Sequence, residues 1–154
     1  MIILGIDPGY AILGWSVIKN DLTLIQYGTI ESDSSEPFEN RLLKIHNELS
    51  EIIERYKPDC VSMEKLFFQK NTKTAIDVAK VLGAVILTVT MLDITYFEYT
   101  PSQVKMALTG FGRASKEQIQ HMVKTIFKLE NVPKPDDAAD ALAIAACHSF
   151  RKIY

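Results

Sequence analysis

Cysteine is nearly absent from this chain. Only Cys60 and Cys147 occur in 154 residues. Two cysteines make no disulfide framework, and both lie in apolar segments, so they read as small core fillers. A long hydrophobic run is missing too. The apolar stretch from Val81 to Leu92 falls short of the roughly 20 residues that a bilayer core demands and contains Gly83. No charged-then-apolar leader precedes the first strand-like segment, so a cytoplasmic protein with no membrane partner is expected. Internal repeats, linkers and low-complexity tracts are also missing, and the length suits one domain over residues 1–154 with a proper core.

An excess of positive charge is lacking as well. The formal net charge is −2, which by itself argues against a nucleic-acid partner. The distribution argues the other way. Acids outnumber bases eight to four from Glu31 to Asp59, but four lysines face one acid from Lys65 to Lys80, and five bases face one acid from Lys105 to Lys128. One face can therefore be basic on a mildly acidic protein.

What is present is a set of carboxylates in apolar surroundings. Asp7 ends Ile-Ile-Leu-Gly-Ile-Asp, and Glu64 ends Cys-Val-Ser-Met-Glu. Asp137 and Asp140 interrupt an otherwise almost wholly apolar stretch that runs on to Ala146. Clustered acids repel one another and resist burial unless a cation holds them. Oxygen ligands of this kind suit a hard divalent metal, which points to metal-assisted phosphoryl chemistry.

The coarse pattern supports their convergence. Strands are expected at residues 2–7, 12–19, 22–30, 59–64 and 94–99, the first three as an antiparallel meander and the later ones parallel. A helix follows Pro37, with Phe38, Leu42, Ile45, Leu49, Ile52 and Tyr56 at helical spacing. A second, from Asn71 or Thr72 to about Met91, is apolar around most of its circumference. That leaves open a core helix or a twofold dimer seam. Pro101 opens a short helix, Ser115 caps one running to about Lys128, and the last starts near Asp136, itself read as the helix cap. The class is α/β, a mixed five-stranded sheet flanked by helices. Asp7 and Glu64 end neighbouring parallel strands, while Asp137 and Asp140, three apart, share one helix face near its positive end. Each has a plain alternative as turn residue, strand end or first-turn acid; their coincidence favours one site.

Larger motifs now become informative: Leu-Gly-Ile-Asp-Pro-Gly (4–9), Gly-Trp (14–15), Met-Glu (63–64) with Phe67, Lys70-Asn71, Tyr99 to Lys105, Gly110 to Lys116, Gln-His-Met-Val (120–123), and Asp-Ala-Ala-Asp-Ala-Leu-Ala-Ile-Ala (137–145). Over almost its whole length the chain resembles the RuvC family of bacterial Holliday-junction resolvases. The resemblance implies an RNase H-like fold, a homodimer through the helix near residues 72–91, and magnesium-dependent nicking of two like-polarity strands of a four-way DNA junction. It places the four catalytic, metal-holding acids on Asp7, Glu64, Asp137 and Asp140. It places the junction-contacting aromatic on Phe67 and basic residues near the scissile phosphate on Lys105 and Lys116. Lys70, Lys73 and Arg113 are further candidates for phosphate contact. Two Mg²⁺ per site, with Mn²⁺ as substitute, would bind about 3.5–4 Å apart. The RuvA–RuvB branch-migration complex is the implied protein partner. Some relatives carry histidine where Asp137 stands, and the additional Asp136 departs from the pattern. Other readings are an RNase H-like nuclease of structured RNA such as ribosomal RNA precursors, a non-catalytic junction binder, and an actin-like sugar kinase, for whose two lobes the chain is too short.

Overall fold

Ile3, Leu4 and Ile6, all fully buried, make the first strand the centre of the molecule. The computed structural model describes residues 1–66 and 72–151. Five strands, β1 (Ile2–Asp7), β2 (Ile12–Lys19), β3 (Leu24–Glu31), β4 (Cys60–Glu64) and β5 (Thr95–Tyr99), form one sheet in the order β3-β2-β1-β4-β5. The β1, β2 and β3 pairings are antiparallel, and those of β1 with β4 and β4 with β5 are parallel. This is the mixed sheet expected from the sequence. β3 begins two residues later than expected, because Leu22 takes a left-handed backbone (φ 68°) in the preceding turn.

Two apolar layers cover the sheet. On one face lie α1 (Phe38–Tyr56) and α2 (Thr72–Met91), with Ile45, Leu49, Ile53, Val81, Val85 and Val89 buried against Leu4, Ile6 and Val61. On the other lie α3 (Pro101–Thr109), α4 (Lys116–Ile126) and α5 (Asp136–Ser149), gathered around Ile3, Leu142, Ile144 and Val123. Reciprocal capping boxes, Thr100 with Gln103 and Ser115 with Gln118, start α3 and α4. At α5 the cap expected at Asp136 is displaced. Pro135 occupies that position without a side-chain cap, and Asp136 is the first helical residue.

The apolar part of α2 is longer than the run from Val81 to Leu92 alone. Residues Thr74–Met91 have a mean hydropathy of 1.7, enough by length and composition alone to cross a bilayer. Val81, Leu82, Val85 and Val89 nevertheless belong to the core shared with α1, so one flank of the helix is structural. The opposite flank is open. Ile76, Leu87 and Met91 are 54%, 60% and 67% exposed.

Candidate active site

A row of small residues crosses the middle of the sheet beneath α5. Gly5 pairs with Ser16 on one side and Ser62 on the other. Beyond them the row ends in Tyr27 on β3 and Phe97 on β5. A Cβ on Gly5 would collide with the Ala141 carbonyl, so only glycine lets the helix lie this close. The Ser16 hydroxyl donates to the Ala141 carbonyl at 2.9 Å and that of Ser62 to the Ile144 carbonyl at 3.4 Å, fixing the helix diagonally from β2 to β4.

One pleat further along, the same face carries the acids. Asp7 follows Gly5 by two and Glu64 follows Ser62 by two, so both project toward α5. The pairing of Ile6 with Met63 makes Asp7 and Glu64 neighbours at the strand ends. Asp7 also pairs with Gly14, where a Cβ would strike the Asp137 carbonyl. Gly14 thus seats the first turn of α5 beside Asp7. Asp140, one turn on, lines a cleft of about 240 Å³ with Glu64, Lys105, Lys116, Pro101 and Ile119. A contiguous hollow extends past Glu64 and Lys105 to Lys65, Ser102 and Gly112.

The electrostatics report the crowding. Burial pushes the Asp7 carboxyl up to about 8, with Glu64, Asp140 and Asp137 adding to the rise and Lys116 opposing it. Glu64 is raised by burial and by Asp140, against Lys105. Asp140 is raised by burial while Lys116 pulls it down. Among the described residues no three acidic, histidine or cysteine side chains close into a ready-made metal cage. Glu64 and Asp140 line the cleft, Asp7 stands beside Glu64 at the neighbouring strand end, and the charges of Glu64, Asp140 and Asp137 all act on Asp7. The donor set is all-oxygen, and burial with mutual repulsion raises Asp7, Glu64 and Asp140, which suits a hard divalent cation.

The basic candidates divide. Lys105 and Lys116 line the acidic cleft. Arg113 is exposed on the loop whose Gly112 lines the adjoining hollow. Lys73 lies in the first turn of α2, while Phe67 and Lys70 fall outside the described residues.

Three sets of polar contacts around the site are not evident from the sequence. Arg41, 7% exposed on α1, donates from Nη2 to the Tyr10 carbonyl at 2.8 Å and from Nε to Ser32 Oγ at 2.9 Å, steadying the turn after Asp7. His148 bridges Tyr99 Oη at 2.7 Å and Cys60 Sγ at 3.4 Å, locking the far end of α5 to β4 and β5. Asp136 forms ion pairs with Lys116 at 3.0 Å and Lys134 at 2.9 Å.

Comparison with known proteins gives one consistent likeness. The family model for crossover junction endodeoxyribonuclease RuvC matches residues 3–148. A crossover junction endodeoxyribonuclease RuvC from Ruminiclostridium cellulolyticum is 49% identical over 151 residues, covering 96% of this chain and 91% of that protein. The solved structure of Thermus thermophilus RuvC in complex with Holliday junction substrate superposes with a TM-score of 0.91 at 37% identity, covering 97% of this chain and 93% of that one. The yeast mitochondrial Holliday junction resolvase Ydc2, at 15% identity and a TM-score of 0.69 over 96% of this chain and 77% of its own, shares the fold.

Proposed function

Since the chain belongs to the RuvC family of crossover junction endodeoxyribonucleases, we propose that Asp7, Glu64, Asp137 and Asp140 are the catalytic carboxylates with which it cuts DNA. The chain is a metal-dependent endonuclease of RNase H-like fold that resolves Holliday junctions. The single observation that carries the site reading is the close placement of the acids, with Asp7 and Glu64 at neighbouring strand ends and Gly14, the residue paired with Asp7, seating the first turn of α5, which bears Asp137.

Asp7, central among the four, would be shared between two divalent cations, with Glu64 and the Asp137–Asp140 pair completing the two ligand sets. Magnesium suits these oxygen donors, and manganese would substitute. When bound, such ions supply an activated water and charge stabilisation for the leaving oxygen. The chain's own groups do the rest. Gly5, Gly14, Ser16 and Ser62 fix the helix that carries two of the acids. Lys105 and Lys116, at the wall of the same cleft, bring ammonium charge to the phosphate as negative charge builds on it. The products are a 5′-phosphate and a 3′-hydroxyl.

Paired nicks require two such sites. The exposed stripe Ile76–Leu87–Met91 on α2 is the surface that joins two copies of the chain. Phe67 serves as the aromatic contact at the branch point, and Lys70, Lys73 and Arg113 as phosphate contacts. RuvA–RuvB is the motor partner and the cytoplasm the working compartment.

The test is metal-dependent nicking of a synthetic four-way junction, scored for symmetric cuts beside duplex DNA and structured RNA. Paired cuts in the junction alone support the reading. Equal cutting of duplex DNA, or cutting of RNA only, defeats it.

A further inference from the structure

Asp136 directly precedes the acidic pair yet is bound up with lysines instead. Its Oδ2 meets Lys116 Nζ at 3.0 Å and its Oδ1 meets Lys134 Nζ at 2.9 Å. The two lysines arrive from different directions. Lys116 is the first residue of α4, and Lys134 lies on the loop just before α5. Asp136 is itself the first residue of α5. The Lys116–Asp136 contact therefore ties the start of α4 to the start of the helix that carries Asp137 and Asp140.

Lys116 needs such a tie. Its backbone is fixed by the Ser115–Gln118 capping box, but its side chain is 54% exposed and has four rotatable carbons. A lysine head on so flexible a stem wanders unless something holds it. The same side chain lines the acidic cleft with Glu64 and Asp140. We infer that Asp136 is a positioning residue that holds the Lys116 ammonium at the mouth of the cleft, where it meets the scissile phosphate. Lys134 occupies the second carboxylate oxygen, so the cluster of one acid and two lysines stays net positive toward DNA. Arrangement of a cation in advance, rather than its capture from solution, lowers the reorganisation required at the reacting centre.

The inference rests on the assignment of this cleft as the nicking site, and the experiment separates the two. Single-turnover nicking is compared with junction affinity measured in chelator. In Asp136→Asn the nicking rate falls roughly two- to fivefold, the scale of one exposed ion pair. Affinity holds or rises, because a negative charge leaves a DNA-facing rim. Asp136→Glu keeps the carboxylate and restores most of the rate. In a Lys116→Ala background, Asp136→Asn costs nothing further, since the two groups act as a unit. An unchanged rate in Asp136→Asn, a parallel loss of rate and affinity, or additive losses with Lys116→Ala would overturn the positioning role while leaving the site reading intact. A wild-type chain that fails to nick junctions at all would overturn both.

Discussion

The Arg41 guanidinium donates to the Tyr10 carbonyl at 2.8 Å, reaching from α1 to the turn that follows Asp7. Its Nε also holds Ser32 Oγ at 2.9 Å, and that hydroxyl donates to the same Tyr10 carbonyl at 2.7 Å. The guanidinium lies 5.3 Å from the Tyr10 ring centroid and 5.8 Å from that of Phe38. Removing a buried charge satisfied this way is costly, because the Tyr10 carbonyl loses one of its two donors, Ser32 Oγ loses the donor from Arg41, and the space of the guanidinium is left unfilled. Arg41→Ala should lose about 2–4 kcal/mol of stability. Arg41→Lys should recover little, because an ammonium lacks the planar fork that reaches both acceptors. Urea unfolding checks this. Midpoints that match the wild type would mean that the turn is held by other contacts.

Gly14 offers a sharper test of how α5 is seated. A Cβ there meets the Asp137 carbonyl carbon and oxygen, which are backbone atoms that cannot rotate aside. Gly14→Ala must therefore displace the first turn of the helix and move Asp137 away from Asp7. Overpacking of this kind costs about 1–3 kcal/mol. Nicking should fall at least tenfold, because catalysis is more sensitive to misplacement than folding is. A Gly14→Ala enzyme with normal nicking and a normal melting temperature would show that the helix is not held by this contact.

Much of this arrangement was legible from the chain itself, and the reasons are specific. Ile-Ile-Leu-Gly-Ile-Asp and Cys-Val-Ser-Met-Glu read as buried strands because both faces are covered. That fixed the strand ends at Asp7 and Glu64. The polar devices were not legible. Ser16 and Ser62 look like ordinary strand serines until their carbonyl partners, 125 and 82 residues away in sequence, are known. Arg41 hides in an amphipathic helix where a charge normally marks the solvent side. Nothing local to His148 signals its role, because its partners Tyr99 and Cys60 come from two other elements, β5 and β4. Local rules favour Asp136 as the helix cap, but Pro135 takes that position and Asp136 becomes the first helical residue.

The open flank of α2 predicts a defined assembly. Ile76, Leu87 and Met91 face outward, 11 and 4 residues apart, which keeps them on one side of the helix. Leu87→Glu places a charge in the middle of that stripe without touching the core flank at Val81, Val85 and Val89. The wild type should sediment as a dimer, whereas the variant should fold with near-normal stability, sediment as a monomer and lose the pairing of its cuts. A variant that sediments like the wild type would move the interface elsewhere.

Both thiols should be silent in the native protein. Burial pushes Cys60 and Cys147 up to about 11, so almost no thiolate exists at neutral pH, and the thiolate is the reactive form. A disulfide-exchange reagent should label neither within minutes at pH 7.5, and both after unfolding in guanidinium. Fast labelling of either in the folded chain would place it nearer the surface than described.

Asp7 connects stability, pH and metal. Its carboxyl has a folded value of about 8 against 3.8 for an ordinary aspartate. Between those values the folded state keeps a proton that the unfolded state has released. Folding stability must then fall as pH rises from about 4 to about 8, and it levels off on either side. Its total contribution over that range is on the order of a few kcal/mol. Asp7→Asn removes the penalty. In chelator at pH 8 the variant should melt above the wild type, and at pH 4 the two should converge. Magnesium should raise the wild-type melting temperature at pH 8 by binding the ionised carboxylates, and should raise that of the variant far less. Nicking should disappear in Asp7→Asn while junction binding persists. Equal melting of the two chains at pH 8 would show that the acids are not strained, and wild-type nicking by the variant would remove Asp7 from the chemistry.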